Sequence, residues 1–195
     1  MNFESKNVVI TGGSTGIGFA TAKAFIEKGA NVWITGRSAE NLQKAAAKID
    51  SQRLKTVVSD TSNLAGIAVL EKAVAENGIK IDVLFLNAGT AVFNSIEEVT
   101  EADFDTQFNT NVKGSFFTLQ KLLHNIKNGG AILFTSSAVA TAANLGSRRA
   151  GLETPPQARP PLTTPRPFGV TGRGGHAGRG LVANRGSTAA RWPIH

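Results

Sequence analysis

Residues 7–18 read Asn7-Val8-Val9-Ile10-Thr11-Gly12-Gly13-Ser14-Thr15-Gly16-Ile17-Gly18. The first five form a short run rich in β-branched side chains with no polar alternation, the pattern of a strand buried on both faces. A glycine cluster follows. Beyond it the pattern predicts a helix over Phe19 to Lys28, with Ala20, Ala24 and Phe25 on one face and Gly29 as its C-terminal stop. Glycines between a strand and a helix let the backbone approach an anionic pyrophosphate without Cβ clashes, while first-turn N–H groups point at the charge. A second strand, Asn31 to Thr35, begins about 20 residues on, as a dinucleotide fold requires.

Strands and helices keep alternating outward from that unit. Ser38 predicts an N-cap for a helix over Ala39 to Ile49, whose Leu42, Ala45, Ala46 and Ile49 form one stripe. Leu54 to Val58 reads as a third strand, and Ser62 or Asn63 starts a helix ending at Gly78. Asp82 to Leu86 reads as a fourth strand. Thr100 with Asp103 makes a capping-box start for a long helical region reaching about Lys127. Ala131 to Thr135 reads as a fifth strand. Such alternation predicts a parallel sheet with helices on both faces, an α/β doubly wound architecture.

The composition breaks near residue 147. All 11 Lys lie at or before Lys127, and all 7 Pro lie at or after Pro155. Residues 1–146 balance to zero net charge, so the whole +7 sits in residues 147–195. That stretch has few apolar residues and much Arg, Pro and Gly, too little apolar surface to offset the entropy of ordering. The expectation is a folded domain over 1–146 and a disordered basic tail over 147–195. No Cys is present, which excludes disulfides, thiol catalysis and cysteine-ligated metal, and no metal site is expected. No apolar run is long enough to span a bilayer and no signal-peptide pattern follows Met1, so the expected location is the cytoplasm.

Four motifs together resemble the short-chain dehydrogenase/reductase superfamily. Thr11-Gly12 through Gly16-Ile17-Gly18 has its TGxxxGxG spacing, and Asn87-Ala88-Gly89 matches its NAG signature. Asn111-Val112-Lys113-Gly114 matches its NxxG helix motif, and Ser136-Ser137 matches the serine pair after the fifth strand. The match covers Lys6 to about Gly146. The resemblance implies a Rossmann-type sheet of order 3-2-1-4-5 and hydride transfer between a nicotinamide and a small carbonyl or secondary alcohol. It implies that Gly12, Ser14, Thr15, Gly16, Ile17 and Gly18 surround the pyrophosphate and adenosine ribose. Asp60 and Thr61 would meet the adenine; Asn87, Ala88 and Gly89 would pack beside its ribose and hold the neighbouring strand. Ser137 would hydrogen-bond the substrate, and Asn111 would break its helix and hold a water in a proton relay.

Gly36-Arg37 at the end of the second strand offers a cationic fork where an acid would chelate ribose hydroxyls, which favours NADP(H) over NAD(H). The family's Tyr and Lys, expected about a dozen residues after Ser137, are missing. The chain has no Tyr, and no Lys follows Lys127. Arg148 and Arg149 stay protonated and make poor proton donors, and His176 stands in a Gly-rich stretch. Catalysis by the family mechanism is therefore expected to be impaired, and the family homo-oligomer is not expected. The abrupt switch suggests a shifted reading frame near codon 147. Two other readings stand beside the enzyme: a non-catalytic NADP(H)-binding protein, and nucleic-acid binding through RGG-like Arg173-Gly174-Gly175 and Arg179-Gly180. The latter is disfavoured by the scarcity of aromatics for stacking.

Overall fold

The computed structural model describes residues 2–95 and 97–137. Strand β1 (Asn7–Ile10) leads through the glycine loop into helix α1 (Gly16–Glu27). Strand β2 (Asn31–Gly36), helix α2 (Ala39–Ile49), strand β3 (Leu54–Val58), helix α3 (Leu64–Glu76) and strand β4 (Ile81–Leu86) follow. Helix α4 (Glu101–Phe108) then runs through a π-helical segment, Asn109–Gly114, into helix α5 (Ser115–Leu122). A 3-10 turn, Leu123–Asn125, precedes strand β5 (Ile126–Phe134). The strands pair in parallel in the order β3-β2-β1-β4-β5, the order that the resemblance implied.

The apolar runs of the central strands are continuous because each face meets a helical layer. Val8 and Ile10 of β1, with Val32 and Ile34 of β2, pack against Ala22 of α1 and Leu42 and Ala45 of α2. Their alternates Val9 and Trp33, with Leu84 of β4, pack against Leu70 and Val74 of α3 and Leu122 of α5. Burying one such Leu or Ile contributes about 1.5–3 kcal/mol. Among the described residues β5 is a sheet edge, with Leu133 and Phe134 exposed.

Three expectations shift. Helix α1 starts at Gly16 rather than Phe19, and its buried residues are Gly18 and Ala22, while Ala20 and Ala24 face solvent. The glycine loop presses Gly18 inward, and that contact sets the helix phase. The helical region expected to reach Lys127 ends at Asn125, and β5 begins at Ile126, ahead of the expected Ala131. Ile81 pairs with Ile126 but Val83 already pairs with Ala131, so Lys127–Gly130 form an irregular excursion within the strand. Gly129, at φ 78°, breaks the apolar pattern there. The predicted tail at 147–195, with Arg148, Arg149, His176 and the RGG-like elements, lies outside the described residues. Among the described residues no helix is long and apolar enough to cross a membrane.

At the amino ends of the strands Asp82 ties three segments together. Its carboxylate accepts from the Asn7 N–H at 2.9 Å, Lys127 Nζ at 2.9 Å and Lys6 Nζ at 3.2 Å. Burial pushes this carboxyl up, but the bonds from Lys127, Asn7 and Lys6 outweigh it and hold the group below the usual range. A carboxyl depressed in the folded state stabilises fully at pH values above its unfolded pKa of about 3.9. That stabilisation disappears as pH falls through the folded value. Asp82→Asn is expected to lose about 1 kcal/mol at pH 7, a modest figure because both lysines are about half exposed. Urea melts of both proteins from pH 7 to pH 3 should show that gap holding above about pH 5 and closing below about pH 4.

Candidate nucleotide cleft

The order of strands reverses between β1 and β4, so loops leaving their carboxyl ends turn to opposite faces and open a crevice. An open cleft of about 880 Å³ lies there. Its glycine-loop wall is fixed from both sides: the Thr11 N–H donates to the Phe85 carbonyl and the Gly13 N–H to the Thr35 carbonyl, each at 2.9 Å. Gly12 has φ 65°, and a Cβ on it would sit 2.8 Å from Ala88 Cα. A Cβ on Gly18 would overlap the Gly12 carbonyl oxygen and lie 2.7 Å from Asn87 Nδ2. Both positions need glycine, one for its turn and one for the close approach of α1 to the loop.

Thr15 precedes α1 in extended geometry and its side chain makes no capping bond. By contrast Ser38, Asn63 and Thr100 accept from N–H groups in the first turns of α2, α3 and α4. The first turn of α1 thus keeps its donors and positive dipole end for whatever enters the loop.

Asn87 locks the cleft floor. Its Nδ2 donates to the carbonyls of Thr11 at 3.2 Å and Gly12 at 3.1 Å, and its Oδ1 accepts from Thr135 Oγ1 at 2.9 Å. Thr11 Oγ1 accepts from the N–H groups of Asn87 and Ala88, both at 3.0 Å. Opposite, Asn111 in the π-helical segment clasps the backbone of Thr90. Its Oδ1 accepts the Thr90 N–H and its Nδ2 donates to the Thr90 carbonyl, each at 2.8 Å.

Of the residues singled out from sequence, Gly12, Ser14, Thr15, Ile17, Arg37, Thr61, Asn87, Ala88, Gly89, Asn111 and Ser137 all line this cleft. Gly16, Gly18 and Asp60 do not. Gly16 is exposed with φ 54°, and Gly18 is buried beneath the loop. The Asp60 carboxylate instead accepts the Ser62 N–H at 3.0 Å, closing the turn before α3. Sequence reading passed over Thr35, Asn41, Ser59, Thr90 and Thr110, which line the same cleft. Single hydroxyls and amides at these places carry no spacing signature. Arg37 is the one charged residue among the described residues lining the cleft.

The short chain dehydrogenase family profile matches residues 6–147. The chain belongs to that family. An oxidoreductase of Sarocladium schorii is 39% identical over 138 residues, covering 70% of this chain and 55% of the relative. An NADP-dependent (R)-specific alcohol dehydrogenase of Lentilactobacillus kefiri is 35% identical over 128 residues, covering 65% of this chain and 51% of its own. Among solved structures, the 3-ketoacyl-(acyl-carrier-protein) reductase of Brucella melitensis complexed with NADH is 31% identical with a TM-score of 0.65. That match covers 71% of this chain and 60% of the reductase. This short-chain dehydrogenase family member spans about half the length of the curated relatives it matches.

The Asn87 carboxamide holds the floor of this short-chain dehydrogenase cleft, so its loss is felt in the fold. Asn87→Ala should destabilise the chain by about 2 kcal/mol, because the Thr11, Gly12 and Thr135 partners lose their bonds in a half-buried place. Differential scanning calorimetry should register a midpoint about 4–8 °C lower.

Proposed function

We propose that the cleft binds NADP(H) and that residues 1–146 form the cofactor domain of an oxidoreductase acting on a small carbonyl or secondary alcohol. The observation that carries the cofactor choice is Arg37. It stands on the cleft wall directly after β2, with Gly36 rather than a carboxylate beside it. A guanidinium there attracts a 2′-phosphate, where an acid would repel it. Ser14, Ser38 and Asn41 line the same stretch of wall, and a Cβ on Gly36 would be 3.1 Å from Ser14 Oγ. The kefiri relative is named for NADP and the Brucella structure holds NADH, so family membership leaves the choice to the residues themselves.

The residues present fit such a cofactor. Gly12 leaves a cradle that a Cβ would fill, and two cleft-lining hydroxyls are buried without a partner. When bound, a nicotinamide supplies hydride chemistry at its C4 position. The chain's own part is binding and orientation. The first turn of α1 faces the diphosphate, Arg37 holds the 2′-phosphate, and Asn87 with Ala88 and Gly89 shapes the floor beneath the ribose. Thr61 flanks the adenine end, on the turn that the Asp60 carboxylate closes. Ser137, at the cleft's far side, hydrogen-bonds the substrate oxygen, and Asn111 supports the relay by fixing Thr90. No Tyr is present to serve as general acid, so turnover by the family mechanism is impaired in this chain. That same absence favours a second reading, nucleotide binding without catalysis. The family match ends at residue 147, where the composition changes, which supports a boundary there. Reading the coding DNA across codon 147 in three frames tests whether another frame supplies Tyr and Lys.

Titrating the full 195-residue chain with NADPH and NADH, followed by nicotinamide fluorescence, tests the cofactor assignment. NADPH is expected to bind at least about tenfold more tightly than NADH. Arg37→Ala should erase about tenfold of NADPH affinity, equal to ~1.4 kcal/mol, and leave NADH unchanged. Equal affinities for the two in the parent chain would refute the assignment. Rapid turnover on a panel of ketones and alcohols would remove the reading of impaired catalysis.

A further inference from the structure

A second cavity, of about 250 Å³, opens at the amino ends of the strands, opposite the end that holds the nucleotide cleft. Asn7 and Asn31, the first residues of β1 and β2, pair in register in its lining. Two residues along β2, Trp33 lines it too, with Lys55 of β3 beside it in register. Arg53 joins from the turn before β3, and Asn77 from the end of α3. None of the lining residues is acidic, and two are cations.

Both cations are held at the cavity before anything binds. Lys55 Nζ stands 5.3 Å from the centre of the Trp33 ring, within cation–π range. Among the described residues it has no carboxylate partner. A lysine on an edge strand also guards against strand addition, but that role does not require the ammonium to lie over a ring. Arg53 donates to the Gly29 carbonyl at 3.0 Å and meets Glu4 at 3.5 Å, contacts that leave other N–H groups of its fork unused. Glu4 stands outside the lining, as does Asp82, which is already neutralised by Lys6 and Lys127. Cations ordered in advance lose little side-chain entropy when a ligand arrives.

The amides add donors of fixed direction. Asn31 Nδ2 donates to Asn7 Oδ1 at 3.5 Å, and Asn7 Nδ2 donates to the Lys80 carbonyl at 3.0 Å. Asn77 Nδ2 donates to the Ala73 carbonyl at 2.9 Å. Each of these amides spends one of its two hydrogens and keeps the other. A wall of two cations and spare N–H groups, with no carboxylate, complements a group made only of acceptors. The volume lies below the ~300–1,000 Å³ of drug-sized pockets, so the occupant is small.

We infer that this cavity is a second ligand site, for a small phosphate-bearing anion held by Lys55 and Arg53. It is independent of the nucleotide reading, because Arg37 and the glycine loop lie at the other end of the strands. Free phosphate and a small phosphate ester share the chemistry that the wall recognises.

The test uses the full chain with Trp192→Phe, which leaves Trp33 as its one tryptophan and a reporter in the wall. Its emission is followed during titration with inorganic phosphate and with glycerol 3-phosphate, ionic strength being held constant with sodium chloride. A saturable change is expected with both, and tighter binding of the ester would identify the ester as the natural form. Lys55→Gln should weaken binding about tenfold, while Lys55→Arg should keep it. Lys55 is exposed, so neither change threatens the fold. Phosphate also has access to the nucleotide cleft, and Arg37→Ala separates the two sites: affinity read at Trp33 should not move. A response lost in Arg37→Ala and kept in Lys55→Gln would assign the anion to the cleft and overturn the inference. So would a parent chain whose Trp33 emission shows no saturable response to either anion.

Discussion

Parallel strands have no hairpins to hold their ends in register, so the carboxyl edge of such a sheet depends on bonds made by the loops themselves. Here the dependence falls on the pairing of Thr11 with Asn87. One hydroxyl accepts two successive N–H groups at the end of β4, and one carboxamide returns two bonds to the end of β1. The carboxamide oxygen then takes in the hydroxyl of Thr135, which follows β5. Three strand ends and the glycine loop are thereby set in one geometry. The path of the loop, the seat of Gly18 and the floor of the cleft all follow from it.

Charge is divided between the two ends of the sheet. At the amino end Asp82 is surrounded by two lysines and a backbone donor, which neutralise it locally. At the carboxyl end the described cleft lining holds a single guanidinium among hydroxyls, amides and small apolar groups. A lone cation in a concave surface of low polarity acts over a longer range than the same charge on a convex one. The described residues are neutral overall while the cleft between β1 and β4 carries a positive charge.

Much of this was legible in the sequence because the signals were local. Ser38 and the Thr100–Asp103 box act within one helical turn, and the structure places both caps where the spacing puts them. Strands β1, β2 and β4 were readable because buried strands are near-continuous apolar runs, whereas β3, at the sheet edge, exposes Lys55, Thr56 and Val58. The start of α1 was not, since glycines lower helix propensity while tertiary packing of Gly18 overrides it. Likewise β5 hid behind Asn128, Gly129 and Gly130, whose irregular path is dictated by pairing with β4 and not by their own preferences. Eleven of the fourteen candidate site residues reached the cleft wall because strand ends converge there by topology. Buried Thr35 and Thr110 could not be told from ordinary strand and helix threonines, since what distinguishes them is a missing partner, a three-dimensional property.

The π-helical segment has a consequence for how this region tolerates change. Six residues there occupy a widened turn, equivalent to one extra residue in an otherwise α-helical rod. Deleting one would restore regular winding and leave the helix beyond it in phase, because the widened turn already absorbs the extra residue. Leu122 would stay in the core and Lys121 beside Glu71 of α3, its partner at 3.3 Å. What a one-residue gap would remove is the local widening that presents Asn111 to the backbone of Thr90, so it would be felt at the cleft rather than in the core.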